Sequence, residues 1–223
     1  MIRAVLLDAF GTLVRMEPPA PHLRAALERL TGVDVGEEAA ERGVMAEISY
    51  YLAHNSEGRD RASLEDLRDR CAAALFEALR EPGLDRAAVR EAMMESLRFS
   101  PFDDAVPALR ALRSRGLQLV VASNWDCSLP ETLSRIGLAA LVDGVVSSAV
   151  VGAAKPDRRL FEAGLAAAGC SAGDALYVGD SLESDIEGAR AVGIEAVLVD
   201  RDGHAPPGTP AVASLEELPA FCT

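Results

Sequence analysis

The chain has 223 residues, 22 of them basic and 35 acidic, for a formal net charge of −13. That charge argues against nucleic acid and anionic membrane surfaces as partners, since both would repel it. It leaves room for a small anionic substrate, because a metal ion or one local cation can dominate a pocket. The length is enough to bury a core without disulfides. The four cysteines, Cys71, Cys127, Cys170 and Cys222, are scattered, form no Cys-x-x-Cys pair, and read as small apolar packing residues. No leader-like or membrane-spanning run is visible, so a reducing cytoplasm is the expected compartment.

In chain order, the apolar run over residues 3–7 reads as a buried strand that ends in Asp8. Residues 16–96 then carry helical patterns over 22–30, 37–53, 64–79 and 86–97 and no convincing strand. Turn signals at Thr31-Gly32, Asn55-Ser56-Glu57-Gly58 and Pro82-Gly83 separate them. Pro18, Pro19 and Pro21 are expected to stiffen one linker, and Pro101 marks the other. From residue 104 onward helix and strand alternate. Helices are expected over 104–115, 129–136, 158–168 and 184–192, each stopped by a glycine, and strands over 117–122, 142–147, 175–178 and 195–199. A Pro/Gly loop, Pro206 to Pro210, precedes a last short helix. Such alternation implies an α/β fold, a doubly wound parallel sheet. The expected division is a Rossmann-like core from residues 1–15 and 97–223 with a helical cap over 16–96. The alternative is one domain with extra helices on one face.

In an open α/β sheet, ligands bind outside the carboxyl ends of the strands. Four polar segments fall there. Asp8-Ala9-Phe10-Gly11-Thr12-Leu13 offers a carboxylate for in-line attack, a glycine for a sharp turn and a hydroxyl to orient the carboxylate. By itself it equally fits an Asx turn. Ser123-Asn124 supplies a hydroxyl and an amide for phosphate oxygens, though a helix cap would use them too. Lys155 is the one lysine among the 22 basic residues, in a chain otherwise using arginine. A carboxylate attacking a phosphate repels it by about 4 kcal/mol per unit-charge pair at about 4 Å and an effective dielectric of about 20, so a cation between them is needed. Gly179-Asp180 and the following Asp185 could hold Mg²⁺, which takes oxygen ligands; Asp185 could instead serve a helix start.

These four segments, in this order and spacing, resemble the haloacid dehalogenase superfamily, and residues 16–96 resemble the helical cap that such enzymes carry. The resemblance implies a hydrolase with a five-stranded core and an Asp8 nucleophile that forms a covalent aspartyl intermediate. It implies Mg²⁺ held by Asp8, the backbone carbonyl of Phe10, Asp180 and Asp185, the last directly or through water. Thr12, Ser123, Asn124 and Lys155 would hold the transferring group of a small phosphorylated substrate. The protein is expected to be a monomer or a homodimer.

One position departs from the phosphatase pattern. Where such enzymes carry a second aspartate, two residues after the nucleophile, this chain has Phe10. A benzyl side chain transfers no proton, and general acid catalysis is worth about 10² to 10⁴ in rate. The aromatic residue resembles the 2-haloacid dehalogenase branch, in which halide leaves without a proton, whereas Gly179-Asp180 resembles the magnesium-dependent branch. The metal carboxylates outweigh the aromatic residue here, since uncompensated acids in a small pocket are costly. A binding protein that keeps the fold without turnover is the third reading. His22 and His54 are minor candidates for the missing acid. Tyr50, Tyr51, Met93 and Met94 read as packing residues.

Overall fold

The computed structural model describes residues 1–222. In chain order its strands and α-helices are β1 (Ala4–Leu7), β2 (Val14–Met16), α1 (Pro19–Thr31), α2 (Glu37–His54), α3 (Arg61–Leu79) and α4 (Arg86–Ser96). These are followed by β3 (Phe99–Pro101), α5 (Ala105–Ser114), β4 (Gln118–Ser123), α6 (Leu129–Arg135), β5 (Gly144–Ser147) and α7 (Ser148–Val151). The chain closes with α8 (Arg158–Ala168), β6 (Ala175–Gly179), α9 (Gly188–Ala191), β7 (Glu195–Val199) and β8 (Ala211–Val212). Two compact units result, one from residues 1–15 and 100–222 and the other from residues 16–99. Among the described residues, no helix is long and apolar enough to cross a membrane.

The first unit is built on a six-stranded sheet of order β5-β4-β1-β6-β7-β8, with every adjacent pair parallel. All four residues of β1 and all five of β6 are buried, as expected of strands covered on both faces. Leu7 stands level with Val121 of β4 and with Val178 of β6. The carboxyl ends of the three central strands therefore open side by side, and the residues just past them share one crevice. Glycines in the left-handed region end α7 at Gly152 (φ 74°) and α8 at Gly169 (φ 64°).

Several details differ from the sequence-based expectation. Six strands replace five because β8, only Ala211–Val212, is too short to leave an apolar pattern. The expected helix over residues 184–192 is a π-helical stretch, Leu182–Glu187, running into α9. Pro19 and Pro21 do not lie in a linker but open α1, where the missing N–H costs nothing because first-turn donors have no partner within the helix. β2 and β3, three residues each, form a small ribbon that the pattern did not foretell.

The second unit is helices α1–α4. Asp60 and Ser63 form a reciprocal capping box at the start of α3, and Asp85 caps α4 through the Ala88 N–H at 2.9 Å. Its interior is Leu23, Leu27, Leu67, Leu75, Leu79, Val89 and Met93, all at most 1% exposed. Glu47 on α2 is buried among them at 4% exposure. Its carboxyl is pushed up to about 7 by that burial, against a hydrogen bond from the Cys71 thiol on α3.

Candidate active site

The turn after β1 sets the geometry. The Asp8 N–H donates to the Val178 carbonyl at 2.8 Å, which ties the end of β1 to β6. The chain then reverses through Gly11 at φ 82°. A Cβ there would stand 2.0 Å from Oδ2 of Asp180, so only glycine allows this turn to approach the loop after β6. Gly179 has the same role on the other side: a Cβ would lie 2.3 Å from the Asp185 carboxylate.

Lys155 joins the parts. Its Nζ donates to Asp8 Oδ1 at 2.5 Å, to Asp185 Oδ1 at 2.6 Å and to the Tyr177 hydroxyl at 3.0 Å, and all four residues are buried. The other oxygen of Asp185 accepts the Ser181 N–H at 2.9 Å. Asn124 turns its amide onto the main chain of Lys155, accepting the Lys155 N–H at 2.7 Å and donating to the Lys155 carbonyl at 3.2 Å. Ser123, at the end of β4, places its hydroxyl on Asp8. Thr12 is fully buried, and its hydroxyl has no hydrogen-bond partner among the described residues.

Electrostatics follow from this packing. Burial raises the pKa of Asp8, with the Lys155 ammonium opposing it and the Asp185 charge adding to it. Burial alone would depress Lys155, but the Asp8 and Asp185 charges outweigh it and hold the ammonium well above its ordinary value. Burial likewise lifts the Tyr177 phenol well above its usual range. Asp180 differs from its neighbours because its carboxylate reaches solvent at the rim. Partial desolvation by the surrounding wall, then the charges of Asp8 and Asp185, push it up to about 6.

Asp8, Asp180 and Asp185 each offer an oxygen, and the three oxygens lie within 4.8 Å of one another. Three carboxylates face a single ammonium, and all the ligands on offer are oxygen. That set fits a hard divalent cation such as Mg²⁺. Beside it lies a cavity of about 660 Å³ lined by Gly11, Asp180, Phe102, Arg201, Asp202 and His204 among others. Phe10 stands over the turn, 48% exposed, with its ring edge-on to Trp125 at 6.5 Å and 62°. Trp125 is anchored by its main-chain N–H, which donates to the Ser148 hydroxyl at 3.1 Å.

The residues singled out from sequence are thus brought together in the first unit, with Asp8, Lys155, Asp185 and Asp180 in one cluster and Ser123 and Asn124 bracing it. The two histidines considered as acids, His22 and His54, lie in the second unit. His22 pairs with Glu17 at 3.0 Å, and His54 stacks on Tyr50 at 4.1 Å with its Nδ1 against the Tyr50 carbonyl. Sequence reasoning missed Tyr177. Its one signal was a hydroxyl-bearing ring inside an otherwise aliphatic buried strand, whose hydroxyl must find a partner.

Comparison with known proteins identifies a family. The model of the haloacid dehalogenase-like hydrolases matches residues 2–193. The mouse haloacid dehalogenase-like hydrolase domain-containing protein 3 is 30% identical over 209 residues, covering 89% of this chain and 82% of the relative. The glyceraldehyde 3-phosphate phosphatase of Methanopyrus kandleri is 30% identical over 210 residues, covering 90% and 85%. Among solved structures, the L-2-haloacid dehalogenase RSc1362 superposes with a TM-score of 0.69 at 28% identity, over 99% of this chain and 98% of that one. With its parallel sheet, its carboxylate and lysine cluster and a family match over most of its length, the chain belongs to the haloacid dehalogenase-like hydrolases.

Proposed function

We propose that the protein is a Mg²⁺-dependent phosphatase of this family, acting on a small phosphorylated substrate through Asp8, with residues 16–96 serving as its cap. The observation that carries the reading is Asp180. It adds a third carboxylate to a cluster already holding Asp8 and Asp185 against one lysine. A site that released halide from a carboxylic acid would gain nothing from that extra charge, whereas a cation site needs it. Relatives named as phosphatases, including one for glyceraldehyde 3-phosphate, support the same reading.

Asp8, Asp180, Asp185 and the Phe10 carbonyl would hold the ion, which when bound offsets the negative charge of the phosphate and the carboxylates. The chain's own residues do the rest. An Asp8 oxygen bonds to phosphorus as the bond to the leaving oxygen breaks, and that oxygen departs with the electron pair. Lys155 opposes the upward pull of burial on the Asp8 carboxyl and offsets the repulsion between nucleophile and phosphate. Ser123 fixes the carboxylate, and Asn124 fixes the lysine through its main chain. Water then attacks phosphorus, releasing inorganic phosphate and free Asp8.

Phe10 shapes the preference. With no acid at that position the leaving oxygen departs as an anion, so aryl phosphates are expected to react far faster than alkyl phosphates. The test is a leaving-group series in wild type and in Phe10→Asp, with Mg²⁺ and with EDTA, alongside 2-haloacids. A steep dependence on leaving-group pKa, flattened by Phe10→Asp and abolished by EDTA, is the expected result. Haloacid turnover that survives EDTA and is lost in Phe10→Asp, with no phosphatase activity, would replace this reading with the dehalogenase one.

A further inference from the structure

We propose that Tyr177 is a positioning residue for Lys155, a fixed pivot that aims the ammonium at Asp8 and Asp185. The proposal rests on the reading of Lys155 as the cation beside the nucleophile.

The hydrogen-bond directions are forced. The Tyr177 hydroxyl lies 2.8 Å from the Ala122 carbonyl and 3.0 Å from Lys155 Nζ. A carbonyl has no proton to give, so the phenol spends its single proton on Ala122. Its oxygen must then accept from the ammonium. Lysine has three N–H donors, and here they are spent on Asp8, Asp185 and Tyr177. The first two partners are carboxylates at the reacting site. The third is a neutral group in the middle of β6 that reaches across to β4, with β1 between those strands.

The phenol itself is held fast. Tyr177 is fully buried, and the Phe161 ring of α8 packs edge-on at 5.1 Å and 67°. Asn124 holds the other end of the lysine through its main chain. A long side chain with about 2 kcal/mol of rotamer entropy is thereby fixed at both ends. When a substrate anion draws one N–H away from a carboxylate, the Tyr177 bond is the one that stays, and the ammonium turns about it.

The chain's single lysine makes the test clean. In protein labelled with ¹⁵N-lysine, only one side-chain ammonium can give a signal, and the Lys155 backbone amide serves as internal reference. Tyr177→Phe keeps the ring and removes the hydroxyl. Loss of a hydrogen bond to a charged group is expected to speed ammonium proton exchange about 10- to 100-fold and shift its resonance. With aryl phosphate and Mg²⁺, kcat is expected to fall by a similar factor while KM changes less than about threefold. A residue that only fills space would lower thermal stability and leave both readouts alone.

Replacing the tyrosines with 3-fluorotyrosine provides a second probe that retains every hydroxyl, and it is expected to move the ammonium resonance. An ammonium signal unchanged in both proteins overturns the proposal, as does a moved signal with wild-type kcat. A wild type that hydrolyses no phosphoester, yet shows the ammonium response, would instead sink the phosphatase reading and leave the lysine anchored as described.

Discussion

Glu47→Gln is expected to stabilise the second unit at neutral and alkaline pH and to change little in acid. Glu47 is 4% exposed between α2 and α3, and its carboxyl is pushed up to about 7, chiefly by burial. In the unfolded chain it would titrate at about 4.3. Below that value both states are protonated and the carboxyl adds no penalty. Between about 4.3 and 7 the unfolded chain loses its proton first, so stability declines by about 1.4 kcal/mol per pH unit. Above about 7 the deficit is constant at about 4 kcal/mol. The contribution is therefore present in acid and lost as pH rises through the folded value. Glutamine keeps the shape and can still accept from the Cys71 thiol, and it never ionises. The assay is amide hydrogen exchange over α2 and α3 in both proteins from pH 5 to 8, with rates corrected for intrinsic pH dependence. The difference in opening free energy should grow with pH and level off. A pH-independent difference, or none at pH 8, would refute the reasoning.

Two other outcomes follow from the cluster. Lys155→Arg should lower kcat by at least on the order of a hundredfold, because a planar fork cannot reach Asp8, Asp185 and Tyr177 from the place of one ammonium; steady-state kinetics with an aryl phosphate checks it, and near-wild-type kcat would refute it. Trp125 fluorescence should respond to Mg²⁺ plus vanadate, with an apparent Mg²⁺ affinity that weakens below about pH 6 as Asp180 takes up a proton, and the response should vanish in Asp180→Asn.

What could be read from sequence was set by strand ends. Asp8, Ser123 and Asp180 each stand at the end of a short apolar run that reads as a covered strand. Their meeting in one crevice follows from parallel pairing at level register. Asp185 and Lys155 were legible by spacing from those ends. The direction of the Asn124 amide was not, because the sequence says that an amide is present and not which main chain it finds. Tyr177 was hidden for a related reason: a tyrosine in a buried strand announces a hydroxyl in need of a partner, but the partner comes from a loop 22 residues away in sequence. The opening of α1 was misread because prolines mark linkers and first helical turns alike. The π-helical stretch after β6 was misread because its hydrophobic pattern cannot be told from that of an ordinary helix.

Two of the places where the chain buries carboxylates differ in a way that separates chemistry from packing. In the first unit, Asp8 and Asp185 are buried, and Lys155 compensates both at 2.5 and 2.6 Å. Asp180 is left over at the rim, where solvent and ligands can reach it. One buried cation for three carboxylates is a deficit that packing does not explain and that an incoming cation would fill. In the second unit, Glu47 is sealed between helices, with burial set against a single thiol hydrogen bond. Protonation can settle that deficit with no ligand at all. A buried acid that can simply take up a proton titrates as a stability effect. On the proposed mechanism Asp8 cannot take that route and remain a nucleophile, and the single lysine set against it, held by Asn124 and Tyr177, answers that need.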